Sequence, residues 1–529
     1  QGRETAAGRL VRANVFNFIY PTYPQPYTPW LFDLGGYLAW RAARGLGIQI
    51  AQTVWLTLTF VLVFLACRER RRRRNASLNP PAVARQVPDD GTPHQARATT
   101  AAALAVLILG FFVIEPRAIP RPHLITFAGV AAGSLLIERA RRTGTAAPLL
   151  WTVPIVAFWS NLHVECVFGV MCLGLFAGSE LGRPSSLPAV EARRAVAIAA
   201  ACAAATLLNP YGWGLEQYLY ENWHVPQMLS IAELQPPYLP GYRAFFAYLA
   251  IAAVLLLSRP RTIAWWEIAS AVVFAVLGIK FLRFTPLLWL VTAPMAADRL
   301  AWLIDRGIDR RAIVAAALAL AIATSRLPLR ALTHPTAGTR AVAPPACFSP
   351  GFPAFARRTN LHGPVFNSMN LGGYLAWELY PATRTFQDGR LQTVPPRHFR
   401  DILEASRSQS DWDRLVRGVD WAVLSNPRPD QLSGAGNFPR AEWATIYWDE
   451  AIEVLARRAG LFGALVQPYE YTLLLPDADP QVAGRQLDGP DRGRLLAEAR
   501  RNVIENPEGP VAPSLLCAAG ERAACAHSF

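Results

Sequence analysis

The stretch QIAQTVWLTLTFVLVFLACRERRRRR (residues 49–74) joins 19 uncharged, mostly apolar residues to a run of arginine. About 20 apolar residues form an α-helix long enough to cross a lipid bilayer. Arginine and lysine are concentrated in the cytoplasmic loops of membrane proteins. The stretch therefore predicts a membrane-spanning helix that ends at the cytoplasmic face.

The composition of the whole chain also indicates a membrane protein. Of 529 residues, 52% are hydrophobic and 17% are charged, whereas soluble domains carry about 25% charged residues. The formal net charge is +14, with 30 basic and 17 acidic residues in 1–325, against 22 and 21 in 326–529. This difference predicts two domains, a polytopic membrane domain (1–325) and a second domain (326–529). No basic helix or base-stacking motif accompanies the positive charge, so we expect no nucleic-acid partner.

Further apolar runs follow the first one. They lie at 100–115, 123–138, 148–160, 164–182, 194–208, 244–258, 262–279, 285–303 and 311–325. Several are shorter than a straight span and are flanked by proline, which predicts broken or kinked helices. The pattern predicts an α-helical multi-pass membrane protein of about ten spans. Because the chain begins without Met or a signal peptide, we expect its first span to be missing.

Alternation of these spans assigns the loops to two sides. The basic segments 68–74, 138–144, 191–194, 258–262 and 305–311 share one side, which the positive-inside rule makes cytoplasmic. The opposite, outer side receives 1–48, 116–123, 159–165, 209–243, 279–286 and the chain after 326.

Polar residues of unusual kind collect in the outer loops. WSNLHVE (159–165) places Asn161, His163 and Glu165 between two apolar runs. Ionisable residues at membrane depth are costly and usually face a cavity or a partner. One histidine at a helix end is more often an interfacial residue, but groups from five loops predict a single polar site. The other outer-loop candidates include Asp33, Arg117, Arg121, His123, Asn209, Tyr211, Glu233, Lys280 and Arg283.

The cations among them predict a phosphate pocket. Lys280 and Arg283 are three residues apart, so at a helix end they would share a face. Arginine binds phosphate through two N–H groups, and lysine acts as a compact charge. Snorkelling to the lipid headgroups is an equally favoured interpretation.

The acids and histidines predict the chemistry beside that phosphate. Asp33, Glu165 and Glu233 are candidates for a general base or a metal ligand. His123 and His163 are candidates for holding a metal, a phosphate oxygen or an acceptor hydroxyl. No spacing in the sequence is a metal signature by itself.

The chain after residue 326 predicts a small α/β domain. Residues 363–390 read as strand, Gly-Gly turn, helix and strand; 412–425 as helix, turn and strand; and 470–477 as a strand. Residues 491–509 begin a helical end piece. FQDGR favours a surface turn, with an Asp388–Arg390 ion pair as the alternative. A disulfide between Cys517 and Cys525 is the less favoured interpretation, and it requires an oxidising compartment.

The order of several motifs resembles the type C glycosyltransferase superfamily, as found in bacterial multi-pass, mannosyltransferase-like proteins with an extracytoplasmic C-terminal domain. The motifs are PWLFDL (29–34), RPHLITF (121–127), WSNLHVE (159–165), LNPYGWGL (208–215), AELQPP (232–237), FLRFTPL (281–287) and NSMNLGGYLAWELYP (367–381). The resemblance implies inverting sugar transfer from a polyprenyl-phosphate donor at the outer face of the bacterial cytoplasmic membrane.

The resemblance also implies roles for individual residues. A carboxylate in the first outer loop serves as base, sometimes with Mg²⁺ or Mn²⁺; Asp33 matches it best, with Glu4 second. The first span and the acidic pair that often follows it are expected to be missing or cut away, and Val164 and Glu165 stand where relatives often carry Gly-Gly. The predicted site thus comprises Asp33 and Glu165 as catalytic residues and His123, Asn161, His163, Asn209, Tyr211, Lys280 and Arg283 as substrate-binding residues.

Two other functions stay open. A non-catalytic membrane subunit of the same fold would use its aromatic loop and C-terminal domain to bind other membrane proteins. A lipid or solute transporter is less favoured, because no span shows paired intramembrane charges or inverted repeats.

Overall fold

The chain divides into two compact units. A computed structural model describes residues 1–78, 92–223, 232–238, 241–258, 262–324, 349–390, 393–395, 397–426, 437–476, 486–506 and 509–525. The helical unit comprises Gln1–Val11 and Pro26–Pro335, and the sheet unit comprises Arg12–Gln25 and Thr336–Phe529. The predicted domain boundary at 325/326 lies outside the described residues.

The helical unit contains twelve α-helices among its described residues. They are α1 (Gly2–Ala6), α2 (Trp30–Leu78), α3 (Pro93–Ile114), α4 (His123–Thr143), α5 (Thr152–Trp159), α6 (Cys166–Gly182), α7 (Ala189–Ala205), α8 (Gly214–Trp223), α9 (Arg243–Leu257), α10 (Trp265–Lys280), α11 (Thr285–Asp305) and α12 (Arg310–Thr324). Helix α2 is kinked at Ala43 and Arg44, which are not helical.

Three stretches of the described chain are long and apolar enough to cross a membrane. They are Trp30–Ala76, Pro93–Arg117 and Leu282–Asp305. The predicted count of about ten spans is not supported. Most of the other apolar runs form helices of 8–17 residues, shorter than the about 20 residues of a straight span. Helix α4 has 21 residues, but its last turns carry the charged sequence ERARR.

A tryptophan at a glycine fixes the packing of two of these candidate spans. Trp289 of α11 is fully buried and donates from its indole N–H to the Val106 carbonyl of α3 at 3.0 Å. A Cβ atom on Gly110 would approach the indole ring to 2.0 Å. Only glycine therefore leaves room for the Trp289 ring at this position.

The arginine run 68–74 lies inside α2 and not in a loop, contrary to the prediction. Arg70 donates to Glu138 of α4 at 2.8 Å and also contacts Glu267 of α10, which accepts from Arg141 at 2.6 Å. These four side chains are at most 4% exposed. Buried charges are costly unless they are paired.

The same run reaches the end of α11. Arg71 forms an ion pair with Asp305, and Arg74 with Asp298. Segments that the sequence predicts to lie on one side therefore meet at one end of the helical unit. We call this region, built around Arg70–Arg74 of α2, the arginine end.

A mixed five-stranded sheet forms the centre of the sheet unit. Its strands are β1 (Gly363–Asn367), β2 (Thr383–Thr385), β3 (Trp421–Ser425), β4 (Trp443–Trp448) and β5 (Ile452–Arg457), in the order β2-β1-β3-β5-β4. β1 pairs in parallel with β2 and β3, whereas β5 pairs antiparallel with β3 and β4. The helices are α13 (Phe352–Arg358), α14 (Gly372–Leu379), α15 (Arg397–Ala405), α16 (Gln409–Leu415), α17 (Val466–Tyr469), α18 (Arg492–Glu505), α19 (Val511–Ala518) and α20 (Arg522–Cys525).

The predicted strand–helix–strand order of 363–390 is confirmed, but the two glycines begin α14 and do not form a separate turn. The predicted strand at 470–477 is wrong for its described part, 470–476. The carboxylate of Glu498 accepts the backbone N–H groups of Thr472, Leu473 and Leu474 at 2.8–3.0 Å. These donors are therefore not available for a sheet ladder.

Residues from the start of the chain complete the sheet unit. Asn17 bridges to Thr385 of β2, and its side chain donates to the Phe386 carbonyl at 2.5 Å. The Asn14 side chain donates to the Thr393 carbonyl at 2.8 Å. Both asparagines are 1% exposed, so this segment is part of the folded unit.

Two further predictions concern side chains of this unit. Arg390 and Asp388 form the ion pair that was the alternative interpretation, at 2.5 Å. Cys517 and Cys525 form the disulfide that was the less favoured interpretation.

Candidate functional site

A buried ion pair joins two of the predicted site residues. Arg283 Nη2 donates to Glu165 Oε1 at 2.6 Å. Glu165 directly precedes α6, and Arg283 lies in the short 3₁₀ helix between α10 and α11. The Glu165 side chain is 9% exposed and that of Arg283 is 25% exposed.

His163 lies beside the same carboxylate. Its Nδ1 is 2.8 Å from the Thr126 hydroxyl and 3.5 Å from Glu165 Oε2. Burial lowers the pKa of His163 to about 4, so the imidazole is neutral at neutral pH. Burial alone would raise the pKa of Glu165, but His163 and Arg283 outweigh it and lower this pKa to about 2. Thr126 was not predicted, although it lies one helical turn after His123.

A second group of charges adjoins this pair. Arg117 is 3.1 Å from Glu233, which also contacts Arg121. His123 Nε2 lies 2.7 Å from the Arg117 carbonyl oxygen. Burial would raise the pKa of Glu233, but the two arginines, helped by Arg283, lower it. We call these residues together (Arg117, Arg121, His123, Thr126, His163, Glu165, Glu233 and Arg283) the Glu165 cluster.

The Glu165 cluster carries more positive than negative charge. Three guanidinium groups share two carboxylates. The Nε atoms of Arg117 and Arg283 are buried and have no hydrogen-bond partner among the described residues. A buried donor without an acceptor costs about 1–3 kcal/mol. The net charge of the cluster would favour an anion at this position.

Asn161, another predicted site residue, fixes the backbone beside the cluster. Its side-chain oxygen accepts from the Trp30 indole N–H at 2.8 Å. Its side-chain nitrogen donates to the carbonyls of Ala157 and Leu208 at 2.8 and 2.9 Å. The amide thus joins the start of α2 to α5 and to the loop that follows α7.

Asn209 and Tyr211 also fix the backbone, in the loop after α7. Asn209 donates to the Thr206 carbonyl at 2.7 Å and accepts from the Tyr211 backbone N–H at 2.8 Å, which forms a local turn. The Tyr211 hydroxyl donates to the Val11 carbonyl at 3.0 Å and also contacts Thr28. These bonds position the loop and connect it to the start of the chain.

Asp33 and Lys280 are not among the residues of the Glu165 cluster. Asp33 is partly exposed in the first turn of α2, where its charge adds to the burial that raises the pKa of Tyr27. Lys280 is exposed and ends α10, and Phe281 is extended (φ −138°, ψ 114°). Lys280 and Arg283 therefore do not share a helix face, contrary to the expectation from their spacing. Glu4 pairs with Arg9 at 2.7 Å.

The residues of the cluster do not fit the divalent metal that the resemblance implies. Within the described ranges, no three His, Cys, Asp or Glu side chains come together as metal ligands. The Glu165 carboxylate is occupied by Arg283, whose charge opposes a cation. Mg²⁺ and Mn²⁺ prefer several oxygen ligands.

No protein-family model matches the chain, and no curated protein matches it at a significant level. The geometry of the Glu165 cluster is therefore the basis for a functional proposal.

Proposed function

We propose that the chain is an integral membrane glycosyltransferase-like protein that transfers a sugar from a polyprenyl-phosphate donor at the outer face of the bacterial cytoplasmic membrane. The observation that carries this proposal is the pair of buried Nε donors on Arg117 and Arg283. Arginine binds phosphate oxygens through charge-assisted hydrogen bonds. A donor phosphate would supply the acceptors that these two groups need.

The positions of the two arginines along the chain support a lipid-linked donor. Arg117 is the last residue of the candidate span Pro93–Arg117, and Arg283 is the second residue of Leu282–Asp305. The ends of spans lie at the level of the lipid headgroups. A phosphate bound there leaves its polyprenyl chain in the hydrocarbon layer.

The proposal assigns a distinct role to each residue of the cluster. Arg117 and Arg283 hold the phosphate, and Glu165 keeps Arg283 in position. A carboxylate with a pKa of about 2 is a weak base, so Asp33 is proposed as the base, as the resemblance implies. Neutral His163 is proposed to bind the acceptor hydroxyl.

The proposal requires the sheet unit to lie outside the cell membrane and the arginine end to lie on the cytoplasmic side. Two features support this orientation. The disulfide Cys517–Cys525 favours an oxidising, extracytoplasmic location for the sheet unit. The positive-inside rule favours a cytoplasmic location for the arginine end.

Binding of a polyprenyl phosphate to the full chain in neutral detergent tests the proposal. Loss of one charge-assisted hydrogen bond, worth about 1.5–3 kcal/mol, should weaken binding about 10- to 100-fold in Arg283→Gln. Arg243→Gln, at an exposed position at the start of α9, is the matched control and should bind like the wild type. If the wild type binds the phosphate no more tightly than the corresponding polyprenol, the proposal is wrong.

A transfer assay with polyprenyl-phosphate mannose and polyprenyl-phosphate glucose tests catalysis separately. Asp33→Asn should abolish transfer and leave binding of the polyprenyl phosphate within twofold of the wild type. Transfer that is unaffected by this change would exclude Asp33 as the base.

One observation favours a non-catalytic membrane subunit as the second candidate. Both carboxylates of the cluster are engaged by arginine, so neither is free to act as a base. Such a subunit would bind membrane lipids and other membrane proteins. It would keep polyprenyl-phosphate binding without any transfer, and its complex would dissociate when the sheet unit is deleted.

A further inference from the structure

We propose that a groove between α3 and α12 binds the phosphate headgroup of an anionic phospholipid, in the leaflet next to the arginine end. The groove is open to the surface and has a volume of about 630 Å³. Arg97, Arg310 and Arg311 line its mouth, and Leu104, Val314 and Ala315 line its apolar wall. This inference does not depend on the proposed transferase activity, because none of these residues belongs to the Glu165 cluster.

The groove lies at the arginine end of the helical unit. His94, at the start of α3, is 3.7 Å from Asp305 at the end of α11. Asp305 also forms the ion pair with Arg71 of the arginine run. The residues around the groove therefore adjoin the region that the positive-inside rule assigns to the cytoplasmic leaflet.

Helix geometry explains why the groove is cationic at one end and apolar at the other. Arg97 and Leu104 are seven residues apart, so they lie on one face of α3, separated by about 10 Å along its axis. Arg311 and Ala315 are four residues apart on α12 and likewise share a face. Both helices thus run from a charged mouth to an apolar wall in the same order.

The charge at the mouth matches a phosphodiester. Three arginines line the groove, and no acidic residue is among the described residues that line it. The nearby Asp309 accepts the backbone N–H of Arg311 at 2.9 Å, which is the usual role of an acid before a helix. Arginine-rich pockets between helices on the cytoplasmic side bind anionic lipid headgroups.

The apolar surface beyond the groove favours a lipid over free phosphate. Phe111 of α3 is 50% exposed, and Leu318 and Ile322 of α12 are 47% and 50% exposed. These residues continue the faces of Leu104 and Ala315 by one and two helical turns. Arg97 lies four residues after the start of the candidate span Pro93–Arg117, at headgroup depth. An acyl chain would cover the exposed apolar face below a bound phosphate.

The test measures lipid binding to the delipidated full chain in neutral detergent. Short-chain phosphatidylglycerol should bind more tightly than phosphatidylcholine of the same chain length, and inorganic phosphate should not displace it. At about fivefold per arginine, the triple variant Arg97→Gln/Arg310→Gln/Arg311→Gln should bind about 100-fold more weakly. No preference for phosphatidylglycerol would overturn the proposal, and so would displacement by inorganic phosphate, which would identify a free-phosphate site.

A matched control distinguishes lipid binding in the groove from attraction by the net charge of the protein. Arg183, Arg193 and Arg194 are also exposed at helix ends, but none of them lines the groove. Replacing all three by glutamine removes the same charge and should change phosphatidylglycerol affinity less than twofold. An equal loss in both triple variants would show nonspecific attraction and would contradict the proposal.

A second variant tests the apolar wall without altering any charge. Ala315 is exposed, so Ala315→Trp fills the groove with little risk to folding. It should weaken phosphatidylglycerol binding at least tenfold, with an unchanged gel-filtration profile and unchanged polyprenyl-phosphate binding. Full lipid affinity in this variant would show that the acyl chain lies elsewhere and would overturn the proposed site.

Discussion

Replacing Glu165 by glutamine should destabilise the helical unit through Arg283. The substitution keeps the shape of the side chain but leaves a largely buried guanidinium without its carboxylate. Removing one partner of a buried ion pair costs about 3–5 kcal/mol. Because Arg283 is 25% exposed, water recovers part of this, and we expect a loss of about 2–3 kcal/mol.

The assay is thermal unfolding of the full chain in detergent, followed by gel filtration of the remaining folded protein. At about 2 °C per kcal/mol for a unit of this size, Glu165→Gln should lower the midpoint by about 5 °C at pH 7. Glu221→Gln makes the same chemical change at an exposed position of α8 and should shift the midpoint by less than 1 °C, since such surface changes cost within about 0.5 kcal/mol.

The stability contribution of the Glu165–Arg283 ion pair should decrease as the pH falls. The Glu165 pKa is lower in the folded than in the unfolded chain, so the ion pair contributes fully above pH 4.5 and its contribution is lost as the pH falls toward 2. The difference between wild type and Glu165→Gln should therefore be constant from pH 7 to about 5 and should shrink below that.

A double variant decides whether the cost arises from the unpaired charge. Glu165→Gln/Arg283→Gln has no buried charge at this position, so it should recover at least half of the lost stability. If Glu165→Gln is as stable as the wild type, or if the double variant loses the sum of both single effects, then the ion pair does not have the energetic role assigned to it.

Three more predictions test other parts of the molecule. Glu267→Gln leaves two buried arginines with less negative charge and should cost about 3–5 kcal/mol, measured by the same thermal assay. Gly110→Ala forces a Cβ atom against the ring of Trp289 and should cost about 1–3 kcal/mol, visible as a lower midpoint or as reduced folded yield. Reducing the disulfide Cys517–Cys525, which closes a short loop, should cost the sheet unit about 2–3 kcal/mol, measured as faster limited proteolysis of that unit with dithiothreitol than without it.

The sequence predicted the local elements of the sheet unit better than the spans of the helical unit. The order β1, α14, β2 follows from short-range alternation and turn residues, which a sequence displays directly. A span count depends on where each apolar run begins and ends as a helix. Glycine, proline and charged residues interrupt most of these runs, so they form helices too short to count as spans.

The types of residue in the candidate site were predictable, but their pairing was not. Glu165 and His163 were identified because they interrupt an apolar chain. The partner of Glu165 is 118 residues away in the sequence. Only tertiary packing brings the two side chains into contact. For the arginines of 68–74 the prediction of a loop was wrong. They have high helix propensity and continue α2, while carboxylates from other helices neutralise them.

The position of Arg12–Gln25 in the sheet unit has a consequence for biogenesis. The ribosome makes this segment before helix α2, yet its neighbours around Thr385 follow more than 350 residues later. The segment must therefore wait, without its final hydrogen bonds, through the synthesis of every helix from α2 to α12. A fragment beginning after residue 336 would lack Asn14 and Asn17 and would expose the edge of β2 to other chains.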